Sequence, residues 1–210
     1  QRQMCIRDRK KYIKTGIGIL IIVVLAFLYA HIDKNSYLYD RNADMSAFIS
    51  TGVLLEGETI SQEFVSEEDI LDGLNIKCSV TGNVEDVEVQ YILRDAKTNK
   101  KVASGSTKAS EIKNNKFNRF DIETVESAKG KEYLFEITET GADAANGVSF
   151  YVVPQKEEGA QVLSIKNNET QGALAARYIS HRFDVETFVV LLGFVAFIVI
   201  FMKLLYKLFK

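Results

Sequence analysis

The most chemically suggestive cluster in the sequence is acidic: Glu67, Glu68, Asp69 and Asp72, just before Gly73. Calcium takes six to eight oxygen ligands, so an oxygen-rich loop of this kind can bind it. The spacing does not match an EF-hand loop, and a solvated acidic loop is the favoured reading. The same carboxylates could in principle serve glycoside hydrolysis, which needs two of them on opposite sides of a bond. His31 and His181 stand near opposite ends of the central segment. Imidazole titrates near neutrality, so a shared metal or pH-sensing site is conceivable. With no further His or Cys to complete a zinc set, interfacial polar roles are favoured. Cys5 and Cys78 fall in segments expected on opposite sides of a membrane, so they do not pair within one chain. Cys78 alternates with Ile76 and Val80, the pattern of a buried core thiol. The sequence has no G-x-S-x-G, H-E-x-x-H, Walker loop or C-x-x-C. No catalytic residue, metal site or cofactor is assigned.

The aromatic residues carry the one binding candidate. Tyr91, Phe117, Phe120, Tyr133, Phe135, Phe150 and Tyr151 could stack on sugars, although most occupy alternating strand positions where core packing is the default. Tyr151 is opposite in phase to Phe150, so one of the pair faces outward, and Tyr151 is taken as the candidate ligand-binding residue. Asn168-Glu169-Thr170 matches a glycosylation acceptor, a weak three-residue pattern.

These residues must be positioned by strands. One apolar face alternates through Val87, Val89, Tyr91 and Leu93, with Glu88, Gln90 and Arg94 on the other. The same period appears at Ile76, Cys78 and Val80, at Tyr133, Phe135 and Ile137, and at Val148, Phe150 and Val152. Further strands are expected at 48–55, 59–64, 102–106, 117–122, 161–165 and 174–179, about ten in all. Residues 95–101 (DAKTNKK), 81–83, 128–131 and 141–147 read as hairpin loops. Many short strands with little helix predict a mainly β, antiparallel β-sandwich or barrel. Its core is expected at about 48–153, with a linker at 154–159 (PQKEEG) and a separate final hairpin at about 160–183.

The ends of the chain differ in kind. Residues 15–32 carry no formal charge and predict a first transmembrane helix; a second is predicted over 187–208, with Lys203 and Lys207 reaching toward the headgroups. A cleaved signal is the other reading of the first segment, but Leu28-Tyr29-Ala30 puts large residues where cleavage needs small ones. The net charge of −2 hides a segregation: residues 31–186 hold 17 Lys and Arg against 27 Asp and Glu, or −10. Lys10, Lys11 and Lys14 precede the first span and Lys203, Lys207 and Lys210 close the second, which predicts both termini inside and residues 33–186 outside. The external charge disfavours nucleic acid. Residues 1–14 form a basic cytoplasmic tail, although Gln1 to Arg9 (QRQMCIRDR) resembles translated sequencing-adaptor read-through, which implies a native start further upstream.

The runs Ile60 to Phe64, Leu71 to Ile76, Val89 to Asp95 and Asn118 to Ile122 resemble the extracytoplasmic, jelly-roll-like β-sandwich modules of bacterial cell-surface membrane proteins. Such modules include those attached to membrane glycosyltransferases. The resemblance covers about residues 48–153 and implies a cell-envelope setting, with polysaccharide or another membrane protein as partner beside the lipid bilayer. Transferase activity is not carried over, because the many spans of those enzymes are missing. The expectation is a non-enzymatic, membrane-anchored interaction or glycan-contact module. The alternative is an accessory or regulatory subunit of a transporter, glycosyltransferase or sensor. Gly16, Gly18, Gly193 and Ala196 could then admit close helix packing.

Overall fold

The computed structural model describes residues 2–154 and 160–209; the side chains of residues 2–12, 14, 15 and 160 are also outside the description. Of the linker expected at 154–159, residues 155–159 therefore lie outside the described residues, as do the side chains of Cys5, Lys10, Lys11, Lys14 and Lys210. The chain forms two compact units, Lys34–His181 and the combined segments Gln1–Asp33 and Arg182–Lys210. In chain order the elements are α1 (Arg2–Tyr29), β1 (His31–Tyr37), β2 (Ile49–Val53), β3 (Thr59–Val65), β4 (Leu71–Thr81), β5 (Glu88–Asp95) and β6 (Lys101–Lys108). These are followed by β7 (Lys116–Val125), β8 (Glu132–Thr140), β9 (Gly147–Val153), β10 (Ala160–Ile165), β11 (Asn168–Thr170), β12 (Ala173–Leu174), β13 (Ala176–Phe183) and α2 (Val185–Leu208).

The central unit is mainly β, with two antiparallel sheets. The first sheet contains β1, β13, β4, β9 and β12, with β2 paired to β9 and β7 to β4; the second runs β11-β10-β3-β8-β5-β6. Strand alternation sets the faces. In β3, β5 and β8, Ile60, Phe64, Val89, Tyr91, Leu93, Tyr133, Phe135 and Ile137 turn inward, while their neighbours stay partly wet. The first sheet contributes Leu74, Ile76, Phe120, Phe150 and Tyr178 to the same core. Rings meet across the sheets: Phe64 stacks on Tyr178 at 5.3 Å, and Tyr91 meets Phe120 edge-on at 5.4 Å. Burying each such ring stabilises the fold by about 1.5–3 kcal/mol relative to exposure.

Three of the four expected hairpin loops are not hairpins. Only residues 95–101 join sheet neighbours, β5 and β6, and Asp95 closes that turn by accepting from the Lys97 and Thr98 amides. Residues 81–83, 128–131 and 141–147 each carry the chain from one sheet to the other. They are also paired in space. Asn83 N–H donates to Asn146 Oδ1 at 2.8 Å, joining the β4–β5 and β8–β9 connections. Gly82 sits there at φ +70°, and a Cβ on it would lie 2.2 Å from Ala145 O. Similarly, Ser66 O accepts from Gly130 N–H and Ser66 N–H donates to Lys131 O, joining the β3–β4 and β7–β8 connections. Gly, Asn and Lys suit a tight turn and a sheet-to-sheet crossing alike, because both need polar backbone and positive φ.

Residues 160–183 also depart from expectation. They do not form one detached hairpin: β10 pairs with β3 in the second sheet, while β12 and β13 pair with β9 and β4 in the first. Gln62, fully buried, ties this segment down by accepting from Leu174 N–H at 2.9 Å and donating to Val162 O at 3.2 Å. Ala175 marks the switch of neighbours, donating to Tyr151 O and accepting from Lys77 N–H. The strands beyond the expected ten are β1, β11 and β12, which are short or polar and carry no apolar alternation.

In the other unit, α2 is long and apolar enough to cross a membrane, spanning 24 residues or about 36 Å. Asp184 caps its first turn by accepting from Thr187 N–H at 3.1 Å. That cap starts the helix two residues before the expected 187. The apolar stretch of α1 among the described residues is shorter, Gly16–Tyr29. The expected span to residue 32 ends early, because His31 to Tyr37 is strand. Ala26 and Ala30 are buried where the two helices meet, with Phe27 5.2 Å from Phe183 and Asp184 N–H donating to Ala30 O. A Cβ on Gly16, Gly18 or Gly193 would meet nothing within 4 Å, so these glycines make no close helix contact among the described residues.

Candidate ligand-binding face

Tyr151 belongs to the outward side of the first sheet. Its neighbours Phe150 and Val152 are buried, whereas the Tyr151 ring is half-exposed. Lys77 lies out of phase with buried Ile76 and Cys78, and it brings its ammonium 5.1 Å from the Tyr151 ring centre and 5.5 Å from that of Phe48. Two residues along β4, Asn75 is opposite Arg119 of β7 and Arg177 of β13. The Arg177 guanidinium sits 4.7 Å from the Phe117 ring and 5.6 Å from Tyr37, and it donates to the Tyr37 hydroxyl at 3.2 Å. Arg41 lies over the same Tyr37 ring at 5.8 Å. Tyr37, Tyr39 and Phe48 meet edge to face at 5.3 and 5.5 Å, linking the Arg177 and Lys77 groups. Each ring presents a negative face to a cation, worth about 0.5–1 kcal/mol when exposed and more when desolvated.

This arrangement fixes three cations without a carboxylate. Lys77, Arg177 and Arg41 have no described ion pair, whereas Lys34, Arg94, Lys97 and Lys166 each pair with a glutamate and Arg119, on the same face, pairs with Asp121. Asn75 donates to Asn35 at 3.0 Å, adding amide groups between the charged positions. Two clefts border the cluster. One, of about 220 Å³, is lined by Asn35, Tyr37, Arg41 and Glu67; the other, of about 320 Å³, by Asn75, Phe117, Arg119 and Glu111. Charged, amide and ring groups on one sheet face can hold a polar polymer by hydrogen bonds and ring contact.

The acidic cluster is distributed differently. Glu68 is buried against Lys34 at 2.6 Å, and Asp72 accepts from Thr124 Oγ1 and His181 N–H, both at 2.7 Å. These carboxylates tie neighbouring segments together. Among the described residues, no group of three or more His, Cys, Asp and Glu is placed to hold a metal ion. The two histidines belong to different units. Asn168–Thr170 forms the exposed strand β11.

A second polar group lies inside the sandwich. Glu139 of β8 is 1% exposed, and its Oε2 accepts from Val148 N–H of β9 at 3.0 Å, while Oε1 has no partner. Desolvation pushes its carboxyl up to about 7. Cys78, fully buried, accepts from Asn118 Nδ2 at 3.3 Å, and burial pushes the thiol up to about 12. A carboxyl poised near 7 suits proton transfer, but this one is sealed from any substrate. Sequence reading missed Glu139 and the cation–ring cluster. Lys77 and Arg177 did carry a faint signal, each being the lone cation between two core-facing residues of a strand.

No protein-family model matches the chain, and no curated protein matches it.

Proposed function

We propose that the chain is a non-enzymatic, membrane-anchored β-sandwich whose outward sheet face contacts glycan or protein in the cell envelope. The observation that carries this reading is the face formed by Tyr151, Phe48, Lys77, Phe117, Arg177 and Tyr37, on a chain whose α2 is long and apolar enough to cross a membrane. The strand order supports the jelly-roll reading: β2-β9-β4-β7 and β3-β8-β5-β6 are the two sheets generated when eight strands fold as a double Greek key. With α1 as the second span and the terminal lysines inside, the sandwich is extracytoplasmic, and tethering raises its effective concentration near envelope polymers. A glycan array probed with the full chain in detergent tests the contact; no bound glycan sinks it. Recovery of a stoichiometric membrane protein in a detergent pull-down instead supports the accessory-subunit reading. Labelling a cysteine introduced at Lys100 from outside intact cells tests the orientation, and protection there refutes it.

A further inference from the structure

From the charge pattern of that face we infer the class of its ligand: a polysaccharide carrying acidic groups, whose carboxylates or phosphates pair with Lys77, Arg177 and Arg41 while its sugar rings lie against the aromatic edges. The inference rests on the glycan-contact reading above and narrows it.

Charge is the first argument. Residues 31–186 hold 27 acidic side chains against 17 basic ones, so an anionic ligand meets overall repulsion unless cations on its face are left unneutralised. Five described cations, Arg119 of this face among them, are ion-paired with carboxylates, whereas Lys77, Arg177 and Arg41 are held by rings instead. A ring fixes a cation without neutralising it, so the charge remains available to an incoming anion. The second argument is preorganisation. Arg177 is gripped between Phe117 and Tyr37, and Lys77 between Tyr151 and Phe48, so an anion binding there immobilises little that is still free.

The shape of the ligand follows from the rest of the domain. An anionic bilayer would bring a plane of negative charge against the whole sandwich, whose remaining surface is strongly acidic. A single polymer strand occupies the face alone, and beyond a Debye length of about 8–10 Å it is screened from the acidic remainder. The Asn35–Asn75 amide pair and the two bordering clefts provide for the hydroxyls between acidic groups.

The test uses the full chain in neutral nanodiscs and four probes: polygalacturonate, its fully methyl-esterified form, dextran, and vesicles containing phosphatidylglycerol. Polygalacturonate is expected to bind, at least about tenfold tighter than the ester or dextran, and to weaken as salt rises from about 50 to 500 mM. Lys77→Gln and Arg177→Gln should each weaken it about tenfold, while Lys77→Arg and Arg177→Lys retain most binding and control for folding. Equal binding of the acid and its ester overturns the acidic specificity but leaves glycan contact standing. Binding of neither polymer overturns both. Binding to the anionic vesicles in preference to polygalacturonate overturns the inference in favour of a membrane surface.

Discussion

Replacing Glu139 by Gln should make the sandwich more stable at pH 8. Glu139 is buried between the sheets, and desolvation pushes its carboxyl from 4.5 up to about 7. Because the folded state holds this proton more tightly than the unfolded chain, stability is lowest above about 7. It increases as pH falls toward 4.5 and then levels off. At about 1.4 kcal/mol per pH unit, the ionised carboxylate costs the fold about 3 kcal/mol at pH 8. The glutamine keeps an acceptor for Val148 N–H but leaves a buried amide donor, which offsets about 1–2 kcal/mol. The net expectation is a gain of about 1–2 kcal/mol at pH 8, with each kcal/mol moving the melting midpoint by about 2–4 °C for a domain of this size. Near-UV circular dichroism suits the assay, since the chain has nine Tyr and no Trp. Full-length protein and variant would be melted in the same detergent from pH 5 to 8. The gap between them should shrink, and then reverse, as the native carboxyl takes up its proton. Asp44, Asp95, Asp143 and Glu58 are held low by their own hydrogen bonds, so their contributions are lost only at more acid pH and stay outside this window. A gap that stays constant over this range, or a variant less stable at pH 8, refutes the account of Glu139.

Two further outcomes follow from close packing. A Cβ on Gly105 would lie 2.5 Å from Asp121 O and 2.6 Å from the Tyr91 hydroxyl, which itself donates to Asp121 O at 2.9 Å. Gly105→Ala should therefore cost about 1–3 kcal/mol in a denaturant titration, and an unshifted midpoint would show that the two sheets are not held this closely. Cys78 is fully buried with its thiol pushed up to about 12, so on a Cys5→Ser background a maleimide should label it only under denaturing conditions. Rapid labelling of the native protein would contradict the burial.

Local alternation was legible wherever a strand had one wet face. Glu132–Thr140 and Glu88–Asp95 bury every second residue, and their pattern alone located them. Strands lacking that contrast were harder to read. The expected first span runs on to residue 32, because His31 and Ile32 continue an uncharged run and nothing local marks the start of the polar strand His31–Tyr37. The candidate face was only half legible. The outward phase of Tyr151 follows from its neighbour Phe150, but the ring partners come from elsewhere: Lys77 lies 74 positions earlier in the chain, and Phe117 and Arg177 are 60 positions apart.

The sequence by itself determined the mainly β character of the centre, the apolar helix near the C-terminus and the burial of Cys78, because each depends on the spacing of apolar residues over a few positions. Tertiary structure alone decided which turns cross between sheets, since a hairpin and a crossing use the same residues and differ only in which strand waits beyond them. It also joined residues 160–183 to both sheets and set Glu139 against Val148 N–H. Above all, it gathered Lys77, Arg177 and Arg41 onto aromatic rings on one face, where a charge balance summed along the chain registers only an acidic domain.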